Sequence, residues 1–371
     1  MEHLTAAPSK ISSPGSLKRI VTELNLTNYR WPAEWEPHTA TWVGWPVSPE
    51  TWPGIFELIP PAYAKFIAAM ARFEQVNVLA TDETQKLAKP LVDAACEEAG
   101  AAFEVKFFDI PINDSWCRDY GPIFLNRRSD VAAGPEQVII DWDYNSWGGK
   151  YPPWDHDAAV AKQISDRIQI QAVKPGIILE GGAIEGNGNG VLLTTESCLL
   201  NPNRNPNLNK EQMEEALRKF LQVESFAWLP GEGIVGDDTD GHIDQVARFV
   251  SDTKVLVAAA YDDDAPEAAD LRANLKAVAD FRSASGSLQP VELRMPKPKF
   301  QQEHRLPACY CNFYIVNNGV IVPTFEDAAD DVALQLLQDA FPDRTIVGVN
   351  AIELIWGLGA FHCMTQQQPV V

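Results

Sequence analysis

Long apolar runs are missing from this 371-residue chain, and none approaches the roughly 18 residues that a membrane-crossing helix needs. Met1 to Ser16 also lacks the apolar core and small-residue cleavage site of a secretory leader, so a cytoplasmic location is expected. Positive charge is scarce: 30 Lys and Arg face 51 Asp and Glu, a formal net charge of −21. Such a chain repels nucleic-acid phosphates and anionic lipid, so neither nucleic acid nor membrane is expected as a partner. Cysteine is sparse and irregular at Cys96, Cys117, Cys198, Cys309, Cys311 and Cys363, unlike a disulfide framework, and reduced thiols follow. Cys309 and Cys311 form a Cys-x-Cys pair, but no second pair or nearby His completes a zinc set, and a structural role is expected. What is present is ordinary for a folded chain with a sizeable core: 46% hydrophobic and 22% charged residues.

Residues 1–28 are rich in Ser, Pro and Ala with little periodicity and read as a flexible N-terminal extension. From Tyr29 to Val371, short β-like runs alternate with helix-like stretches and no linker interrupts them, which argues for a single domain. The β-like runs include Val76 to Ala80, Val138 to Trp142, Ile177 to Leu179, Val191 to Thr194, Val255 to Ala259 and Val320 to Pro323. The clearest helix runs from Lys210 to Leu221, where Asn209 can cap the first turn with Gln212 three residues on. Met213, Ala216, Leu217, Phe220 and Leu221 form its apolar stripe. Strand, helix, strand units recur about every 50 to 70 residues, a period of arrays and propellers. The class is α/β or α+β.

Four stretches carry the chemistry. Gly357-Leu358-Gly359-Ala360-Phe361-His362-Cys363 places a cysteine in a glycine-containing turn, where backbone can approach a ligand and a thiolate can act as nucleophile. The plain alternative is a buried thiol acting as a small apolar residue. Gly236 to Asp244 is an acidic, glycine-flanked stretch in which His242 and Asp244, two apart, face the same way if extended. That suits a proton-transfer base beside a cation-binding carboxylate, or two metal ligands, against the alternative of a surface turn. Asp119 lies beside Trp116, where a carboxylate and a ring can hold a flat cation, unless Asp119 simply pairs with Arg118 or backbone amides. Glu180 precedes Gly181-Gly182. Together, Asp119, Glu180, His242, Asp244 and Cys363 make chemical sense around a guanidinium, and the negative net charge suits a small cationic substrate.

These motifs, Trp116-Cys117-Arg118-Asp119-Tyr120-Gly121-Pro122, Glu180-Gly181-Gly182, Gly241-His242-Ile243-Asp244 and His362-Cys363-Met364-Thr365-Gln366-Gln367, resemble the agmatine deiminase and bacterial peptidylarginine deiminase family of guanidino-group-modifying enzymes. The segment Pro32-Ala33-Glu34-Trp35-Glu36-Pro37-His38 resembles the start of that family's domain. The resemblance implies a five-bladed, pseudo-symmetric α/β propeller (pentein-like) with a central active site and no metal or organic cofactor. It further implies that Cys363 attacks the guanidinium carbon and that His242 serves as acid and then base. Glu180 would orient His242, Asp119 and Asp244 would clamp the guanidinium nitrogens, Trp116 would wall the pocket, and Arg118 would brace the loop. Agmatine is the first substrate expected, with peptidyl-arginine, free arginine and small guanidines as alternatives.

Three departures bear on the substrate tail: Asp238 stands where the family usually has Glu, no Arg follows Trp45-Pro46, and Leu358 and Phe361 occupy a usually glycine-rich run. Leu358 and Phe361 are expected to narrow or line the pocket. Two competing classes are a metal-dependent amidohydrolase using His242, Asp244 and Glu180, and a non-catalytic guanidino-binding protein. A homodimer is the ordinary expectation for a soluble enzyme.

Overall fold

The computed structural model describes residues 24–284 and 286–371. Most of the expected N-terminal extension, residues 1–23, therefore lies outside the described residues. The turn Leu26–Asn28 is capped by the Asn25 side chain, and Leu26 is buried in a cluster with Tyr29, Met213 and Leu217, so packed structure reaches back past Tyr29.

The chain is α/β, and five of its sheets repeat one pattern. A first strand pairs antiparallel with a second, which pairs parallel with a third across a helix. The triplets are Ile123–Arg127, Gln137–Ile140 and Ala172–Val173; Ile184–Gly186, Val191–Thr195 and Ser225–Leu229; Ala247–Phe249, Lys254–Ala259 and Gln289–Arg294. They continue with Tyr314–Val316, Gly319–Thr324 and Thr345–Asn350, and with Thr365–Pro369, His38–Gly44 and Val76–Leu79. Between second and third strands run the helices Val160–Ile168, Lys210–Leu221, Ala268–Asp280, Asp330–Ala340 and Ile59–Ala71. A parallel pair cannot be joined by a tight turn, so each unit needs such a crossover. The fifth sheet joins a strand near residue 370 to one near residue 40, which brings both ends of the motif set into one structure.

Local chemistry explains these elements. Helix Lys210–Leu221 starts where expected, with Asn209 and Gln212 forming a reciprocal capping box, and buries Met213, Ala216, Leu217 and Leu221. The second strands are apolar on both faces, as with Val255, Leu256, Val257 and Ala258, because a helix covers one face and the core the other. Each such Val or Leu contributes roughly 1.5–3 kcal/mol on burial. The expected strand Ile177 to Leu179 is instead a single bridge between Asp143 and Ile178, since Gly176, at φ 72°, turns the chain immediately before it. Conversely, Thr365–Pro369 is a buried strand despite its glutamines, because Gln367 accepts from Arg118 and Gln368 from Trp42. No helix among the described residues is long and apolar enough to cross a membrane.

Candidate active site

Each first strand of the five sheets is entered through a tight turn: Cys117–Tyr120, Gly181–Ala183, Ile243–Val246, Tyr310–Asn312, and the turn of residues 361–364. Successive turns are about 50 to 70 residues apart, the period read from the sequence. Four of them carry the residues singled out above, and the fold brings these together. His242 Nδ1 lies 3.6 Å from Asp119 Oδ1, and His242 Nε2 lies 4.0 Å from Glu180 Oε2. Cys363 Sγ is 3.5 Å from Asp244 Oδ2. Glu180, His242 and Asp244 are fully buried, whereas Asp119, Trp116 and Cys363 line a cavity of about 1040 Å³.

Several local expectations are corrected. His242 and Asp244 do not lie on an extended strand: His242 caps the turn Ile243–Val246 and Asp244 lies inside it, so a helical bend sets their geometry. Asp119 does not pair with Arg118 but does meet a backbone amide, as the plain alternative had it: it accepts from Gly182 N and also from Trp147 Nε1, each at 3.0 Å. The glycines before Cys363 line the cavity and also make room for tryptophans. A Cβ on Gly357 would lie 2.7 Å from Trp52 Nε1, and one on Gly359 would strike the Trp116 ring. Leu358 lines the cavity, but Phe361 does not: it is buried and stacks on Phe66 at 4.3 Å between ring centroids. A side chain between two glycines faces the open side of the turn, while the next large one is drawn into the core.

Of the supports, only Arg118 was expected from the sequence, as a brace for the loop. Arg204 donates from Nε to Glu180 Oε1 at 2.6 Å, so Glu180 offers only its other oxygen to His242. Asp244 Oδ2 is held by His362 Nδ1 at 2.7 Å, and His362 Nε2 is held by Glu34 Oε2 at 2.8 Å. Glu34 also receives Arg248 at 2.8 Å and Arg118 at 3.5 Å. Arg118 donates to the His362 carbonyl and to Gln367, bracing the turn that bears Cys363. The fifth turn supplies Asn312, whose Nδ2 lies 3.1 Å from Cys363 Sγ. The one hint was position: like Cys363, it stands two residues before the first strand of its sheet.

The site is electrostatically tense. Burial pushes the Asp119 carboxyl up to about 6, with Asp244 and Glu180 adding to the effect and His242 opposing it. Burial disfavours a charged His242, yet Asp119, Cys198 and Glu180 outweigh it and hold the imidazole well above its ordinary range. Burial also opposes ionisation of Asp244, but the His362 hydrogen bond keeps it below the usual value. Burial, then Asp244 and Asp119, raises the Cys363 thiol well above its ordinary range, and the Asn312 bond pulls the other way. Glu180 Oε2, Asp244 Oδ1 and both nitrogens of His242 are buried with no protein hydrogen-bond partner. Orphaned buried polar atoms are costly and cluster where a ligand is meant to satisfy them.

Among the described residues, two groups hold three donor atoms within 4.8 Å of one another, Glu180 with Cys198 and His242, and Glu34 with Glu185 and His362. The set His242, Asp244 and Glu180 considered from sequence is not one of them. Arg204 on Glu180, and Arg248 on Glu34 and Glu185, already provide the positive charge an ion would bring. Cys309 and Cys311 instead point their thiols at the carbonyls of Gln245 and Val246.

A buried thiol, an imidazole and three carboxylates thus converge from four turns of a repeated α/β fold, and the relatives that share the fold make the chain a guanidine-modifying hydrolase. The chain belongs to the Porphyromonas-type peptidyl-arginine deiminase family, whose model matches residues 30–369. It is 36% identical over 366 residues to an agmatine deiminase of Pseudomonas aeruginosa, covering 92% of this chain and 95% of that protein. Among solved structures it resembles the agmatine deiminase of Enterococcus faecalis, with TM-score 0.85, 32% identity, and 95% and 99% of the two chains covered. It also resembles a Cys-to-Ser variant of the C. jejuni agmatine deiminase with substrate bound, with TM-score 0.81, 30% identity, and 92% and 96% coverage.

Proposed function

We propose that this protein hydrolyses agmatine to N-carbamoylputrescine and ammonia through a covalent adduct on Cys363. The observation that carries the reading is that the Cys363 thiol and the Asp119 carboxylate line one cavity, with Asp244 Oδ2 3.5 Å from the sulfur and unpartnered oxygens of Glu180 and Asp244 buried nearby. A guanidinium is a planar fork of donors, and Asp119 and Asp244 offer it acceptors that hold its carbon near the sulfur. Binding this cation reverses the local field: the charges that raise the thiol in the free enzyme are neutralised, and Cys363 ionises against the substrate, its proton passing to solvent.

The thiolate then adds to the guanidinium carbon, and imidazolium His242 donates its proton to the departing nitrogen, which leaves as ammonia. The remaining thiouronium is attacked by water, one proton of which passes to His242, and collapse breaks the C–S bond as the hydroxyl proton passes to the departing sulfur, releasing the neutral ureido product and the thiol. Asp119, and after it Glu180 anchored by Arg204, keep positive charge on His242. Trp116 forms part of the wall and the carboxylates of Glu50, Asp238 and Glu303 line the outer cavity, which favours a tail bearing a second positive charge.

In this reading residues 29–371 are one catalytic domain whose five repeated sheets close around the site as blades of a pentein-like propeller, with no cofactor, working in the cytoplasm as a homodimer. Ammonia release from agmatine, arginine, a blocked arginine peptide and small guanidines tests it. Turnover of agmatine above the others supports the reading, and turnover confined to another guanidine overturns the substrate while leaving the chemistry.

A further inference from the structure

A second cavity, of about 740 Å³, is lined by helix Val160–Ile168, the strand Ala172–Val173 and Asp141, and shares no lining residue with the catalytic cavity. Asp141 follows the second strand of its sheet, Gln137–Ile140. In three of the other sheets the residue at this position is apolar and buried: Trp45, Ala260 and Phe325. In the remaining sheet it is Glu196, which is exposed and paired with Lys210 at 2.7 Å. Asp141 departs from both patterns. It is a carboxylate only 4% exposed, and its Oδ1 is buried with no hydrogen-bond partner.

Two lysines line the same cavity, but each already has a carboxylate. Lys174 Nζ lies 2.9 Å from Asp143 Oδ1, and Lys162 pairs with Asp166 one helical turn on. Burial raises the Asp141 carboxyl above its ordinary range, with the charge of Lys174 opposing. A buried carboxylate with an unmade hydrogen bond is satisfied by a donor, and best by one that carries positive charge. A hard metal ion is disfavoured, since it gathers about six oxygens or more and Asp166, the only other lining carboxylate, is held by Lys162. Ala158, Ala159, Ile170 and Ala172 add an apolar wall that suits a short hydrocarbon chain.

We infer that this cavity is a second binding site, which takes a small primary ammonium compound: the ammonium donates to Asp141 and the aliphatic chain lies along Ala158, Ala159, Ile170 and Ala172. The chain passes directly from one cavity to the other, since Asp157 lines the catalytic cavity and Ala158 this one. The inference does not rest on the agmatine reading, because no residue of the second cavity takes part in the proposed reaction.

The probe is n-butylammonium, which has the charge, the donors and a short chain but no guanidinium. Its binding to the full-length protein is followed by saturation-transfer NMR at constant ionic strength, with tetramethylammonium, a cation without N–H donors, as competitor. The expected result is saturable binding with half-saturation on the order of millimolar. Asp141→Asn weakens it about ten-fold or more. Ala159→Trp, which fills the cavity and leaves the carboxylate in place, does the same, whereas Asp119→Asn leaves binding unchanged and tetramethylammonium does not compete. Absence of saturable binding, or equal binding by a folded Asp141→Asn protein, overturns the inference. So does loss of binding in Asp119→Asn, which places the cation in the catalytic cavity, and so does competition by tetramethylammonium, which marks general attraction to an acidic surface. If Asp141→Asn does not fold, Ala159→Trp decides by the same criterion. The assay uses no guanidine, so its result stands whatever the substrate of the first cavity.

Discussion

Asp119→Asn should stabilise the protein while disabling it. The Asp119 carboxyl titrates at about 6 in the folded protein, against about 3.9 in an unfolded chain. The folded state therefore binds this proton more tightly, and native stability contributed by the group falls as pH rises from about 4 to about 6, staying low above that. Two pH units of displacement correspond to about 3 kcal/mol of destabilisation at neutral pH. Asparagine removes the buried charge but keeps one acceptor for the two donors, Trp147 Nε1 and Gly182 N, which returns about 1–1.5 kcal/mol. Loss of attraction to His242 returns a little more. The net gain is about 1 kcal/mol at pH 7.5, a rise of roughly 2 °C in melting temperature, shrinking towards pH 4. Activity moves the opposite way: kcat/KM falls about a hundred-fold, and the decline of wild-type activity below about pH 6, where Asp119 protonates, disappears from the variant's profile. Thermal melts and rate profiles across this pH range check both. A variant less stable than wild type by the same margin at every pH would refute the claim that Asp119 holds a strained charge.

Other outcomes follow from the same geometry. Gly182→Ala places a methyl 2.5 Å from His242 Nδ1 and 2.7 Å from Asp119 Oδ1, so it should abolish most turnover with only modest loss of melting temperature, seen by pairing rate assays with melts. Glu34→Gln leaves Arg248 and Arg118 buried beside a neutral group and should destabilise by about 3–5 kcal/mol, measured by denaturant unfolding. Because Arg204 and Arg248 already occupy the carboxylates nearest to a metal-like arrangement, prolonged chelator treatment should leave ammonia release unchanged, and loss restored by an added divalent metal would favour the amidohydrolase reading.

The legible parts of the sequence were those in which one residue type does one local thing. Asn209 and Gln212 announce a helix start, and the apolar positions from Met213 to Leu221 define its buried side, so its limits are read directly. The titratable members of the site stood out because acids, a histidine and a thiol beside glycines are unusual in a core. Asn312 escaped because an amide has no acid–base chemistry of its own and acquires meaning only when the fold delivers it to Cys363. Glu34 was visible within a motif, yet its partners Arg248 and His362 lie 214 and 328 residues away, and only the tertiary fold unites them. Phe361 shows the converse: sequence placed it next to chemistry, but its size and the ring of Phe66 drew it into the core. Gln367 and Gln368 sit in a strand because their amide oxygens accept from Arg118 and Trp42, partners that only the fold supplies.

The central claim is covalent catalysis by Cys363, and the most direct test is intact-mass spectrometry of His242→Ala mixed rapidly with agmatine, beside the same experiment on Cys363→Ser. The account predicts an added mass mapping to Cys363 in the histidine variant, and in the serine variant agmatine binding with neither adduct nor ammonia. Normal ammonia release by Cys363→Ser would contradict it.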